Sequence, residues 1–162
     1  METKPNIICI DDQREILATL EKDMEPFSVC FSLLYCESTG EAKEEIESLY
    51  AHGTPIPLVI CDHIMPNQNG IDFLIELNRD IRFKNMFKIL LTGLATHRDT
   101  IDAINQANID YYIEKPWNEK DLHAVVKKML TRFMVREGFD YNACGGIIDP
   151  ETLYEALNEK ER

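Results

Sequence analysis

Long hydrophobic runs are missing from this sequence of 162 residues. A helix that crosses a membrane needs about 18 or more consecutive apolar residues, and the apolar runs here are far shorter. The first of them, residues 7–10, is also too short for the hydrophobic part of a signal peptide. We therefore expect a cytoplasmic protein with no membrane partner.

Positive charge is also scarce. The chain has 17 Lys and Arg residues against 29 Asp and Glu residues, which gives a net charge of -12. Because such a surface repels phosphate backbones, we expect no direct binding of nucleic acid. Glycine and proline are few, with seven of each, and 44% of the residues are hydrophobic, which excludes a disordered or fibrous chain.

Cysteine pairs of the C-x-x-C type are absent, although the chain has five cysteines. Cys9 and Cys61 lie inside apolar runs, where a free thiol usually acts as a small hydrophobic side chain. An odd number of cysteines without metal-ligand spacing favours structural thiols over a redox or metal role. We predict that the cysteines are reduced.

Short apolar runs alternate with helical patterns over most of the chain. The runs cover residues 6–10, 31–35, 57–61, 87–91 and 110–113, and an amphipathic stretch follows each one. Five strands alternating with five helices predict an α/β fold with a parallel sheet covered on both faces. Right-handed crossovers make a flavodoxin-like doubly wound sheet of order 2-1-3-4-5 the simplest topology, with its functional site at the carboxyl ends of the strands.

Charged and hydroxyl side chains follow four of the predicted strands. They are Asp11 and Asp12 after the first, Asp62 after the third, Thr92 after the fourth and Lys115 after the fifth. Crowded carboxylates repel one another, so three of them at one sheet edge predict a bound cation, and an all-oxygen set favours Mg²⁺. A carboxylate between a magnesium ion and a lysine is suited to attack on phosphorus, which gives an aspartyl phosphate.

These residues resemble the receiver domain of two-component response regulators. The resemblance covers residues 4–130 and rests on four motifs in the family's order, namely Asp11-Asp12, the segment 62–70, Thr92-Gly93 and Lys115-Pro116. It implies that Asp62 is the phosphoacceptor, that Asp12 binds Mg²⁺ directly and that Asp11 holds the metal through water. The backbone carbonyl of Ile64 would be a further metal ligand.

The resemblance also implies a switch and a set of partners. Thr92 and Lys115 would contact the phosphoryl group, and Lys115–Pro116 would be a cis peptide. In the family the hydroxyl after strand 4 moves toward the phosphoryl group while a strand-5 aromatic residue turns inward, and Tyr112 matches that residue. The donor would be a histidine kinase or a phosphotransfer protein. The output partner is unknown and would contact the strand 4–strand 5 face, including Trp117; such a domain turns over no independent substrate.

Two alternatives remain open. A pseudo-receiver keeps the fold as a binding module and is never phosphorylated. A phosphatase of the haloacid dehalogenase type also uses an aspartate nucleophile with Mg²⁺, but it has a second aspartate where this chain has Ile64. Ile64 and Leu94 are apolar where many receivers are polar, so we expect slow hydrolysis of the phosphoryl group. We interpret His63 as a loop residue.

The last long amphipathic stretch continues past the receiver-like region. Its apolar stripe reaches Phe133 and Met134, which we expect to extend beyond the sheet. We therefore divide the chain into a receiver domain, 1–130, and a C-terminal helical extension, 131–162, which contains a further helix starting at Asp149-Pro150. Homodimerisation through the last helix of the receiver is our hypothesis. The extension could itself be a dimerisation element or a docking helix for a partner. It could instead begin a linker, or fold back over its own stripe.

Overall fold

The computed structural model describes residues 4–93 and 98–161. Its strands are β1 (Asn6–Ile10), β2 (Ser32–Cys36), β3 (Leu58–Asp62), β4 (Phe87–Thr92) and β5 (Tyr111–Glu114). They form one sheet of order β2-β1-β3-β4-β5, in which every neighbouring pair is parallel. The predicted flavodoxin-like topology is therefore confirmed. The boundaries of β2, β3 and β5 are shifted by one residue toward the C-terminus, and β4 is one residue longer than predicted.

The described residues form six α-helices. These are α1 (Arg14–Met24), α2 (Thr39–Ala51), α3 (Gly70–Arg79), α4 (Arg98–Ala107), α5 (Glu119–Glu137) and α6 (Pro150–Lys160). Short side chains begin several of them as expected: Ser38 accepts from the backbone N–H of Glu41 in α2, and Asp149 accepts from Thr152 in α6. No helix among the described residues is long and apolar enough to cross a membrane.

The central strands place alternate side chains in two core layers. Ile7, Cys9, Ile60 and Leu91 belong to the layer that packs against α1 and α5. Ile8, Ile10, Cys61 and Leu90 belong to the layer that packs against α2, α3 and α4. Because β1, β3 and β4 have a helix layer on each side, their apolar runs need no polar alternation.

The predicted extension begins inside α5, and its part after Gly138 folds back onto that helix. Arg132 of α5 forms ion pairs with Glu155 and Glu159 of α6, at 3.2 and 3.3 Å between nitrogen and oxygen. The Lys160 ammonium donates to the Val135 carbonyl over 2.9 Å. These contacts agree with the alternative in which the extension covers its own stripe.

Phe133 and Met134 are buried, at 3% and 2% exposed. The ring of Phe139 lies 5.3 Å from that of Phe133, and Ile147 belongs to the same core layer. The chain after Gly138 returns over these two side chains, so they are covered and do not form an exposed continuation of the stripe. The stripe therefore leaves little apolar surface for a dimer at this end of α5.

The prediction of reduced cysteines is wrong for one pair. Cys30, which follows a 3₁₀ helix after α1, is disulfide-bonded to Cys144 of the extension, across a sequence separation of 114 residues. Cys9 and Cys61 are free and buried, as predicted, and so is Cys36. The disulfide links the segment after Gly138 to the chain after α1, and the ion pairs of Arg132 link the same segment to the end of α5.

Candidate functional site

Three carboxylates meet at the carboxyl end of the sheet. Asp11 and Asp12 follow β1 directly and Asp62 is the last residue of β3, and one oxygen from each lies within 4.8 Å of the others. Asp11 and Asp62 are buried, whereas Asp12 is exposed. A cluster of oxygen donors with this charge and an exposed side fits a hard divalent cation such as Mg²⁺.

Lys115 enters the cluster from the segment after β5. Its ammonium donates to Asp62 Oδ1 over 2.7 Å and to Asp11 Oδ2 over 2.9 Å. Burial lowers the pKa of Lys115, but its hydrogen bonds to the two carboxylates outweigh burial and raise the pKa overall. Lys115 is therefore charged at neutral pH, and three carboxylates with one ammonium leave a deficit of positive charge that a divalent ion can neutralise.

The surroundings of Asp62 compensate only part of the cost of burying its negative charge. Burial raises the pKa of its carboxyl group, and the hydrogen bond from Lys115 acts in the opposite direction without cancelling that effect. Because the charged form is incompletely stabilised, this carboxylate gains from any further cation at the site.

The loop from β3 to α3 is held against Asp62 by a close backbone approach. The N–H of Gly70 donates to the carbonyl of His63 over 2.7 Å. A Cβ at Gly70 would stand 1.7 Å from the Asp62 carbonyl oxygen, which no side chain can do without moving the backbone. This contact explains why the segment 62–70 ends in glycine.

The loop that carries Lys115 is anchored to α1. Lys115–Pro116 is a cis peptide, as the resemblance implied, and the indole N–H of Trp117 donates to Asp23 Oδ2 over 2.8 Å. His123 of α5 also hydrogen-bonds the Asp23 carbonyl oxygen. Asp23 was not among the residues predicted from the sequence. Its signal is a carboxylate at a buried position of α1, between Leu20 and Met24.

Thr92 lies at the end of β4 and is 1% exposed. Its hydroxyl oxygen is 2.9 Å from Nδ1 of His63, which is itself only 7% exposed. The interpretation of His63 as a loop residue is therefore incomplete, because its ring is buried against a residue predicted to contact the phosphoryl group. Burial lowers the pKa of His63, which favours the neutral ring.

The Tyr112 and Ile64 side chains lie at the surface. Tyr112 is 45% exposed and stacks on Tyr111, with 6.3 Å between ring centroids. The two tyrosines, Trp117 and α5 line a hollow of about 610 Å³. The Ile64 side chain is 61% exposed, the metal-binding role of its carbonyl stays a prediction, and Leu94 lies outside the described residues.

Known proteins share this fold and these motifs. A family model, the response regulator receiver domain, matches residues 7–127. The hydrogenase transcriptional regulatory protein HoxA of Cupriavidus necator is 26% identical over 116 residues, covering 72% of this chain and 22% of HoxA. The transcriptional regulatory protein CpxR of Klebsiella pneumoniae is 30% identical over 128 residues, covering 78% of this chain and 49% of CpxR.

A solved structure of a receiver domain has a similar fold. The signal receiver domain of an HD domain-containing protein from Pseudomonas fluorescens aligns with a TM-score of 0.66 at 26% identity, covering 79% of this chain and 95% of that one. The chain spans at most about half the length of HoxA and CpxR, so the comparison with those regulators concerns their matched part alone. Because the family model spans most of the chain and the sheet order agrees with it, the chain belongs to the response regulator receiver family of two-component signal transduction.

Proposed function

We propose that the protein accepts a phosphoryl group on Asp62 from a histidine kinase or a phosphotransfer protein, in a reaction that depends on Mg²⁺. The observation that carries this proposal is the contact of one ammonium, Lys115, with a buried carboxylate that belongs to a cluster of three. Family membership supports phosphoryl acceptance in general.

The residues divide the chemistry between them. An oxygen of Asp62 attacks phosphorus, a new P–O bond forms, and the P–N bond to the donor histidine breaks as that imidazole takes up a proton. Lys115 neutralises charge on the phosphoryl oxygens, and Thr92 donates its hydroxyl to one of them. Asp11, Asp12, Asp62 and the Ile64 carbonyl would hold Mg²⁺, which supplies further charge neutralisation when bound.

Phosphorylation would be signalled by a rearrangement of the surface beside β4 and β5. Movement of Thr92 toward the phosphoryl group would let Tyr112 leave the exposed stack on Tyr111, which changes the hollow beside α5. A partner protein or a second copy of the chain would read that change. Since the extension covers the end of the α5 stripe, the tyrosine face is the surface that we propose for a homodimer.

A non-phosphorylated pseudo-receiver is the alternative function. It would share the fold and the acidic cluster, so only chemistry separates the two. The phosphatase alternative has less support, since the family match spans residues 7–127 and Ile64 occupies the position of the second aspartate.

Incubation with acetyl phosphate, with Mg²⁺ or with a chelator, tests the proposal. We expect a phosphate-sized mass gain in the wild type with Mg²⁺, a gain that is lost on treatment with hydroxylamine because acyl phosphates are labile to it. Asp62→Asn should show no gain, whereas Asp102→Asn, which removes an exposed carboxylate of α4, should behave as the wild type does. A gain that persists in Asp62→Asn, or with chelator present, contradicts the proposal.

The lifetime of the phosphoryl group has its own test. We infer that the exposed apolar side chain of Ile64, two residues after Asp62, limits the approach of water. The phosphorylated Ile64→Asn variant should therefore have a shorter half-life than the phosphorylated wild type. An unchanged or longer half-life would contradict slow hydrolysis by an apolar shield.

A further inference from the structure

We propose that His63 is a positioning residue that holds the Thr92 hydroxyl on the face of the sheet opposite the Asp62 carboxylate, and so opposes the switch. This inference rests on the proposed function, because it concerns the step in which Thr92 turns toward a phosphoryl group on Asp62.

The alternation of side chains in the sheet places Thr92 and Asp62 on opposite faces. Asp62 pairs in register with Leu91, whose side chain lies in the layer of α1 and α5. Thr92 is two residues after Leu90, which lies in the layer of α2, α3 and α4. In this resting arrangement Thr92 therefore starts from the side of the sheet away from the acidic cluster.

His63 lies on the same face as Thr92. It is two residues after Cys61, which shares the layer of Leu90, and it stands level with Thr92 because the preceding residues, Asp62 and Leu91, are register partners. The 2.9 Å contact between Nδ1 of His63 and the Thr92 hydroxyl is the direct consequence.

The backbone of His63 is fixed from both sides. Its N–H donates to the Leu91 carbonyl over 3.0 Å, and its carbonyl accepts from Gly70 over 2.7 Å. When Thr92 turns toward Asp62, His63 cannot follow, and the hydrogen bond between them breaks. This holds for either neutral tautomer, since Nδ1 either donates to the hydroxyl or accepts from it.

The hydrogen bond thus stabilises the resting state alone. A side chain of similar shape that cannot form the bond should shift the equilibrium toward the phosphorylated arrangement by roughly two- to tenfold, the range given by the net value of one hydrogen bond. His63→Phe is such a replacement. His63→Asn keeps a polar amide atom close to the place of Nδ1 and should restore the bond.

Binding of beryllofluoride with Mg²⁺, a mimic of the acyl phosphate, measures this shift. Trp117 is the one tryptophan of the chain and lies two residues from Lys115, so its fluorescence serves as the signal. We expect His63→Phe to bind beryllofluoride roughly two- to tenfold more tightly than the wild type. The Kd of Mg²⁺ alone should be unchanged, and His63→Asn should return to the wild-type value.

A double-mutant cycle with Thr92→Val separates positioning from a general structural effect. In the Thr92→Val background, His63→Phe should no longer change beryllofluoride affinity. Weaker or unchanged binding by His63→Phe, or the same gain in the Thr92→Val background, would overturn the inference. His63→Leu replaces His63→Phe if circular dichroism shows that the latter is unfolded. A wild type that binds no beryllofluoride and takes no phosphoryl group would contradict the proposed function itself, which is a distinct result.

Discussion

The Asp62 carboxylate shows how a single residue at this site is adapted to bind a further charge. Burial raises its pKa although Lys115 donates to it over 2.7 Å. A carboxyl with a higher pKa in the folded chain than in the unfolded chain binds its proton more tightly when folded. The contribution of Asp62 to the free energy of unfolding therefore falls as the pH rises from below the ordinary pKa of aspartate to above the folded pKa of Asp62.

Asp62→Asn should remove that loss of stability. In urea unfolding with a chelator present, we expect the variant to be more stable than the wild type at pH 7, with a difference that shrinks as the pH falls toward 4. Mg²⁺ at 100 times its Kd should add about 2.7 kcal/mol to the wild type, and less to the variant. Asp102→Asn, at an exposed position, serves as the control. If Asp62→Asn is less stable than the wild type at pH 7 with chelator present, the raised pKa of Asp62 is contradicted.

The backbone at Gly70 leaves no room for a side chain. Because a Cβ there would stand 1.7 Å from the Asp62 carbonyl oxygen, Gly70→Ala must displace the end of β3. We expect a loss of about 1–3 kcal/mol in the free energy of unfolding, together with slower phosphorylation by acetyl phosphate.

Gly40→Ala is the matched control for this change. Gly40 lies in the first turn of α2 and a Cβ there would meet nothing closer than 3.8 Å, so alanine should fit without strain and should not lower the free energy of unfolding. If both variants shift the unfolding midpoint in the same direction, the close approach at Gly70 is not what limits the site.

At the scale of elements, the β5–α5 loop depends on α1 for its position. Asp23 is buried and accepts from the Trp117 indole over 2.8 Å, two residues after Lys115. Asp23→Ala should lower the free energy of unfolding by about 0.5–1.5 kcal/mol, since it removes the acceptor of a partly buried indole N–H.

Phosphorylation kinetics extend this prediction to Lys115. Asp23→Ala should slow phosphorylation by acetyl phosphate, because the loop that aims Lys115 loses its anchor, whereas Asp23→Asn retains an acceptor oxygen and should be close to the wild type. Equal rates in Asp23→Ala and the wild type would contradict a role of this contact with α1 in placing Lys115.

The elements also show what the sequence could and could not predict. Runs that are apolar without alternation and the connection rules were enough for the sheet order, and the order then brought Asp11, Asp12, Asp62 and Lys115 together. Local patterns carried no information about which buried polar groups would meet. The contact of His63 with Thr92 needs the β3–β4 register, and that of Asp23 with Trp117 joins residues 94 positions apart.

At the scale of the whole molecule, the segment after Gly138 covers the end of α5 and is attached to the rest of the chain by a disulfide and by ion pairs. The Cys30–Cys144 disulfide closes a loop across 114 residues, and Arg132 pairs with Glu155 and Glu159. Spacing in the sequence could not predict this pairing, because only the return of the chain after Gly138 brings Cys144 to Cys30. A cytoplasm disfavours such bonds, so the state of this pair also bears on the proposed localisation.

Cys144→Ser measures what the disulfide contributes. A loop of this length gives about 4–5 kcal/mol in the chain-entropy model, so the oxidised wild type should exceed the variant by up to that amount in urea unfolding. With dithiothreitol present the two should agree. A difference in unfolding free energy that persists with dithiothreitol would show that the substitution acts through packing and not through the disulfide. Thiol labelling of protein from intact cells reports whether Cys30 and Cys144 are oxidised there.

The central claim, that Asp62 carries the phosphoryl group, has a direct measurement. After treatment with acetyl phosphate and Mg²⁺, borohydride reduces an acyl phosphate of aspartate to homoserine, and peptide mass spectrometry finds the residue that was changed. We predict homoserine at position 62, and none there when a chelator replaces Mg²⁺. Homoserine at Asp11 or Asp12, or unchanged aspartate throughout the peptides of a protein that gained a phosphate-sized mass, would contradict the assignment.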